Sequence, residues 1–377
     1  MNIIIDARTL TGDIMGVANF LKLAILEIAD QRKDINIFLV TPKNLNTSIR
    51  DVFPSNVEIV RCPLFQMETI PKLFWFLLVL PIKVRTLKAD VFYSPTPSIP
   101  LALPSKVLKV ITVHDVVNFE YGATMKLNNR LSNLLMLKRS VRIADLIWVN
   151  SNYTKRKVEE YFLKRKSKEI FVGCSVDANI FEKKNLSIEK KKSIKEKYSI
   201  NDKFILFVGS LEPRKNLSFL LRLMPTLYET ENIQLLIVGA NGWKNTEIFD
   251  IIRQPEFPVA STIFAGFIEV DELVNLYNTA NCFISTSLNE GFGMPQLEAL
   301  MCGCPVISPH NSAMIEVVCK HGITVHGWDS SDWISIIKQT VISTRYITDI
   351  ESIKSKYNWN EIIKRFLIEI NNKCRII

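Results

Sequence analysis

Two α/β domains, each built on a doubly wound parallel sheet, are what this sequence predicts. Three observations lead there. The chain has 377 residues, beyond the size at which one hydrophobic core stops growing, so two domains are expected. Short apolar runs of strand type alternate with helix-length segments through most of it, the pattern of parallel sheets covered by crossover helices. Repeatedly, at Asn2 onward, Phe204 onward and Cys282 onward, a strand passes through a loop into a helix. Open parallel sheets bind ligands at such carboxyl ends of strands.

Composition narrows the class. With 47 % hydrophobic and 23 % charged residues the chain reads as an ordinary well-packed soluble protein. The formal net charge of +9 asks for an anionic partner. Its basic clusters, Lys126 to Arg142 and Lys183 to Lys197, lack the interleaved aromatics of single-strand nucleic-acid binding, so no nucleic acid is expected. An anionic membrane surface or an anionic ligand fits the charge. The seven cysteines are odd in number and have no zinc-like spacing, which reads as reduced, mostly buried thiols in a cytoplasmic protein. The N-terminus looks like a first strand and not a signal peptide. The longest apolar run, Leu73 to Leu80 between Pro71 and Pro81, is far short of the ~20 residues of a membrane span.

In order, Asn2 to Ala7 is a strand, followed by a loop with Gly12 and Gly16 and an amphipathic helix through Phe20, Leu23, Ala24 and Ile28. Gly16 has two readings, a tight αβ connection or a place where a ligand approaches the backbone. Ile35 to Val40, Val57 to Val60, Val91 to Tyr93 and Val107 to Val113 continue as strands. Phe65, Phe74, Trp75 and Phe76 are either core or an apolar face in a membrane interface beside Lys72, Lys83, Arg85 and Lys88. The strand to Val113 ends in His114-Asp115, where Asp115 is placed to fix the His114 tautomer if the imidazole is functional. Lys126 to Ala144 is patterned as a basic helix with Leu127, Leu131, Leu134 and Leu135 inward. Asp145 to Asn150 is a strand, with Ser151 capping the next helix.

Residues 178–203 read as a charged linker with a short helix. Phe204 to Gly209 opens the second domain and leads into Ser210-Leu211-Glu212-Pro213-Arg214-Lys215-Asn216. Arg214 offers a planar fork and Lys215 a point charge, both suited to a diphosphate. Ile233 to Gly239, Thr262 to Gly266, Asn281 to Ser285 and Val306 to Ser308 continue the second sheet, with helices near 243–252 and 271–279. After Ile284, Gly291 and Gly293 permit close backbone approach, and the helix that follows presents N–H groups suited to an anion. Glu290 and Glu298 at that mouth point to a ligand carrying hydroxyls as well as phosphate. Helix patterns over 328–342 and 359–370 close the chain.

These stretches resemble the retaining glycosyltransferases of the GT-B fold, the family-four group. The resemblance rests on Val208 to Leu217, Ala265 to Ile268 with Asp271 to Leu273, and Glu290 to Leu300. It extends to Val113-His114-Asp115, Ala144-Asp145 with Ser151 and Thr154, and Ser175 to Asp177. It implies two Rossmann-like domains facing across a cleft: residues 1–177 on the acceptor side, and residues 204–350 on the side of a nucleotide-sugar donor. Residues 351–377 would return to the first domain. By position in the motifs, Arg214 and Lys215 would hold the diphosphate, Glu298 the ribose and Glu290 the sugar hydroxyls. Gly209, Ser210, Phe267, Gly291, Phe292, Gly293 and Met294 would line the donor, His114 would reach the sugar, and Gly16 would lie near the phosphates. Glu290, His114 and Lys215 form the expected catalytic set.

The chain departs from the family where Ser210 stands in place of a common Arg, where Gly12 to Gly16 replaces paired glycines, and where Ile315 replaces a common Pro. Without an Asp-x-Asp or other ligand cluster, no metal or cofactor is expected, and Arg214 and Lys215 would neutralise the leaving diphosphate. The subgroup implies a mannosyltransferase of surface polysaccharide or O-antigen assembly, with GDP-mannose as donor and an oligosaccharide or lipid-linked acceptor. Such an enzyme would sit on the inner face of the plasma membrane. A nicotinamide oxidoreductase would need a Gly-x-Gly-x-x-Gly fingerprint that is absent. A non-catalytic nucleotide-sugar binding or assembly protein is the alternative of a different class.

Overall fold

The chain divides at Ser175 and again at Tyr357: Met1–Ser175 with Asn358–Ile377 form one unit and Val176–Tyr357 the other. The structure, a computed structural model, describes residues 1–63, 72–116, 136–163, 168–240, 242, 245–343 and 348–375. Phe65, Trp243 and most of the basic helix expected over Lys126 to Ala144, including Leu127, Leu131, Leu134 and Leu135, lie outside the described residues.

The first unit carries β1 (Asn2–Asp6), β2 (Asn36–Thr41), β3 (Val57–Arg61), β4 (Val91–Ser94), β5 (Leu108–Val113), β6 (Leu146–Val149) and β7 (Ile170–Val172). They pair in parallel in the order β3-β2-β1-β4-β5-β6-β7. Strands β4 and β6 are buried along their whole length, as expected for a sheet covered on both faces. The helix Val17–Gln31 buries Phe20, Leu21, Ala24, Ile25 and Ile28. The final helix Trp359–Cys374 belongs to this unit, and its Phe366 lies 4.2 Å from Trp148, ring centroid to centroid. Ser151 caps Asn152–Phe162 by accepting from Thr154 N–H.

Residues 72–86 form a continuous helix whose middle, Trp75–Val79, is π-helical. The aromatic stripe divides there. Trp75 and Phe76 are core, with Trp75 Nε1 donating to Cys62 O at 2.8 Å, while Phe74 is exposed.

The second unit carries β8 (Phe204–Val208), β9 (Gln234–Val238), β10 (Thr262–Gly266), β11 (Cys282–Ile284), β12 (Val306–Pro309) and β13 (Ile323–Val325). The parallel order is β10-β9-β8-β11-β12-β13. Its core joins Ile205, Phe207, Leu220, Leu223, Leu235, Ile284, Ile307 and Trp333. The stretch expected as a linker is part of this unit. Its helix Ile188–Tyr198 buries Ile194, Ile200 follows it into the interior, and Lys184 N–H bonds Asn278 Oδ1. A high density of lysines concealed those two apolar anchors in the sequence. Strands β7 (Ile170–Val172) and β13 (Ile323–Val325) were not expected either. All seven cysteines are free thiols, five of them buried.

Candidate active site

The second sheet reverses its strand order between β8 and β11, the kind of position where open parallel sheets take ligands. The loops leaving these two strands are tied together. Leu288 N–H donates to Arg214 O at 2.9 Å, and the Thr286 hydroxyl donates to Lys215 O at 2.9 Å. Lys215 Nζ is thereby held 2.6 Å from Glu290 Oε1, and an Arg214 nitrogen 2.8 Å from Oε2. Ser287 Oγ donates to the same carboxylate at 2.7 Å. Arg214 also bonds Asn289 O at 2.9 Å and Glu212 at 2.6 Å.

Two nearly buried carboxylates, Glu212 at 5 % exposure and Glu290 at 8 %, thus face two cations. Burial pushes the Glu290 carboxyl up, but the Lys215 ammonium and Arg214 guanidinium outweigh it and hold the group at about 2. The cations expected to meet a diphosphate are engaged by carboxylates, Arg214 by Glu212 and Glu290 and Lys215 by Glu290.

Glu298 is the opposite case. It sits on the helix Met294–Met301 and accepts from the Tyr277 hydroxyl at 3.0 Å. Burial lifts its carboxyl to about 7, against the weaker pull of Tyr277 and Lys215. Two glutamates on one loop and helix therefore differ in charge near neutrality because only Glu290 has cations in direct contact.

Around them the strand ends approach closely. Gly209 N–H donates to Val238 O and Gly239 N–H to Gly266 O. A Cβ on Gly239 would fall 2.1 Å from Gly209 O, at a φ of +148°, so β8 and β9 leave the sheet in backbone contact that only glycine allows. Ser210 O accepts from Glu212 N–H within the same turn, and Phe267 is exposed just past β10. Gly291, Phe292 and Gly293 are buried, with Met294 half-buried. Phe292 packs edge-on against Tyr357 at 5.7 Å, so its side chain serves packing.

Gly16 and His114 belong to the first unit. Gly16 opens the helix Val17–Gln31 at φ +49°, ψ −112°, a conformation only glycine adopts readily, and a Cβ there would meet nothing within 4 Å. His114 Nε2 lies 2.8 Å from Pro95 O, and Nδ1 lies 3.1 Å from Asn150 Nδ2. A carbonyl only accepts, so Nε2 carries the proton and Nδ1 accepts from the amide. Pro95 and Asn150 fix the tautomer, in place of the neighbouring Asp115. Burial lowers the imidazole to about 4, so it is neutral, and it reaches a ligand only by giving up one of these bonds. Removing the amide in Asn150→Ala is expected to cost about 1–2 kcal/mol in urea unfolding, the penalty of a buried unpaired nitrogen.

Reasoning from the sequence passed over Glu212, Ser287, Gly239 and Asn150. Glu212 and Gly239 were detectable, since each lies in the loop directly after a strand of the second sheet. Among the described residues no group of three or more His, Cys, Asp or Glu is placed to hold a metal ion.

This geometry agrees with what comparison finds. Residues 189–339 match the family model of glycosyl transferases group 1, and residues 16–177 that of glycosyltransferase family 4. An uncharacterized glycosyltransferase of Methanocaldococcus jannaschii is 31% identical over 170 residues, 43% of either chain. The O-antigen chain mannosyltransferase B of Escherichia coli is 32% identical over 122 residues, 32% of either chain. The matched stretches span less than half the length of these relatives. The sucrose-phosphate synthase structure from Thermosynechococcus elongatus superposes with a TM-score of 0.77 at 15% identity, covering 100% of both chains, which shows the shared fold. With a parallel α/β unit under each of two family models that together account for most of the chain, the protein belongs to the group 1, family 4 glycosyltransferases of GT-B fold.

Proposed function

We propose that the protein is a retaining hexosyltransferase that uses a nucleotide-diphosphate sugar, with GDP-mannose the first candidate. It extends a lipid-linked or oligosaccharide acceptor of surface polysaccharide or O-antigen type. The observation that carries this reading is the cluster of Arg214, Lys215 and Glu290 at the reversal of the second sheet. On this reading Arg214 and Lys215 serve a leaving diphosphate and Glu290 the sugar hydroxyls. Similarity to an O-antigen mannosyltransferase supports the choice of sugar and acceptor.

In this mechanism the bond from the anomeric carbon to the phosphate oxygen breaks as the acceptor oxygen bonds to the same face. The acceptor proton passes to the leaving phosphate. Arg214 and Lys215 stabilise the charge that develops there, a role worth roughly 2.7–4 kcal/mol by analogy with oxyanion donors. Glu298, once ionised, accepts from ribose hydroxyls. The cations take the place of a metal, so transfer is expected to persist undiminished in EDTA.

The test is a panel of nucleotide sugars read by melting temperature and then by transfer. GDP-mannose is expected to raise the melting temperature and to donate mannose in EDTA. Stabilisation by another donor alone would replace the sugar assignment, and activity abolished by EDTA and restored by Mg²⁺ would overturn metal independence.

A further inference from the structure

The lysines at the start of the second unit divide into two kinds. Lys192 pairs with Glu196, Lys195 with Asp202 and Lys197 with Glu272. Lys183, Lys184 and Lys191 have no carboxylate in an ion pair among the described residues. These three line one pocket of about 240 Å³, far more than a single ordered water requires. Asn185, Tyr277, Asn278 and the turn Cys302-Gly303-Cys304 also face it, and its lining holds no Asp or Glu. Glu182, exposed on the preceding position, stands outside it.

The segment bearing two of the lysines is pinned in place. Lys184 N–H donates to Asn278 Oδ1 at 2.6 Å, and Asn278 Nδ2 donates to Glu182 O at 3.0 Å. The Lys183 stem lies along Gly303, where an added Cβ would come within 3.1 Å of its Cδ. Helices Val270–Tyr277 and Met294–Met301 end beside the pocket, and their C-terminal carbonyls offset about one positive charge between them. Three ammonium groups exceed that offset, so the pocket attracts anions.

The pocket also reaches the residue assigned to the ribose. Tyr277, in its wall, donates its hydroxyl to Glu298 at 3.0 Å. Cys302, also in the wall, feels charges from both sides. Burial pushes its thiol up to about 12, with Glu298 and Glu182 adding to the rise and Lys184 opposing it.

We propose that Lys183, Lys184 and Lys191 bind a phosphate dianion, either inorganic phosphate or the phosphate of a small ester, and that this anion weakens donor binding through Glu298. A negative charge in the pocket disfavours the ionised carboxylate that accepts from the ribose. By linkage, the donor weakens the anion by the same factor. The coupling rests on the donor reading of Glu298. The anion site does not, because it is measured with no donor present.

The experiment is calorimetric titration of the full chain with inorganic phosphate and, separately, with glucose 6-phosphate near neutral pH. Saturable binding to the wild type is expected, and the tighter of the two ligands identifies the source of the phosphate. The triple variant Lys183→Gln, Lys184→Gln, Lys191→Gln is expected to bind at least about tenfold more weakly. Its melting temperature and its transfer rate in phosphate-free buffer should match the wild type. Lys215→Ala is expected to retain the anion, which separates this pocket from the diphosphate cations. Saturating phosphate should raise the Kd for the donor about fivefold in the wild type and leave it unchanged in Glu298→Gln. No saturable binding, undiminished binding by the triple variant, or binding lost in Lys215→Ala would overturn the site. A donor Kd indifferent to phosphate, or one that rises equally in Glu298→Gln through direct competition, would overturn the coupling. Failure of every nucleotide sugar to bind, with phosphate still bound, would sink the donor reading and the coupling with it, and leave the site standing.

Discussion

Lys215→Ala is expected to lower the rate of sugar transfer by about a hundredfold or more, because a cation placed where leaving-group charge develops is worth about 2.7 kcal/mol or more. The ammonium lies 2.6 Å from Glu290, which keeps Arg214 and Ser287 as partners after truncation, so the fold should persist. Some stability is lost even so, because Glu290 stays buried with one cation fewer. Steady-state transfer measured alongside urea unfolding separates the two effects. A loss of turnover under about threefold would remove Lys215 from the reaction, since it falls below what one preorganised donor contributes.

The second large effect is a pH dependence set by Glu298. Its carboxyl is lifted by burial from an ordinary 4.5 to about 7, so between those values the native state holds a proton that the unfolded chain releases. Stability therefore falls as pH rises through this window, by on the order of 3 kcal/mol. Glu290, held at about 2 against the outward push of burial by Lys215 and Arg214, has the opposite sign. Its contribution is present above 4.5 and is lost only as pH falls toward 2. Glu298→Gln is expected to be more stable than wild type at pH 8 and to match it near pH 5. Donor affinity should improve from pH 6 to pH 8 in wild type, as the carboxylate forms, and stay flat and weaker in the variant. Urea unfolding and donor titration across this range check both, and parallel pH profiles for the two proteins would show that Glu298 does not titrate there.

Much of this was legible in the residues because it rests on local pattern. Strands β8 and β11 and the loops after them follow from a short apolar run, a loop and a helical repeat, and they alone place Lys215 and Glu290 at the same end of a sheet. What the sequence conceals is pairing at a distance. Nothing local shows that Glu212 and Glu290 neutralise Arg214 and Lys215, because those contacts depend on β8 and β11 being neighbours, which they become through crossover connections. For the same reason His114 was assigned the carboxylate beside it in sequence, whereas its partners come from the ends of β4 and β6, the strands flanking β5.

The return of the last helix to the first unit bears on the order in which the chain assembles. Trp148 is surrounded by Phe20, Tyr93 and Phe171 from the early part of the chain and by Trp359 and Phe366 from its end. Two of those five rings, Trp359 and Phe366, do not exist until the ribosome has passed residue 366, whereas Val176–Tyr357 is complete before then. The second unit is in effect an insertion within the first. During synthesis the half bearing the cation cluster can close its interior first, while the half begun earliest waits, with Trp148 incompletely covered, for the final sixteen-residue helix.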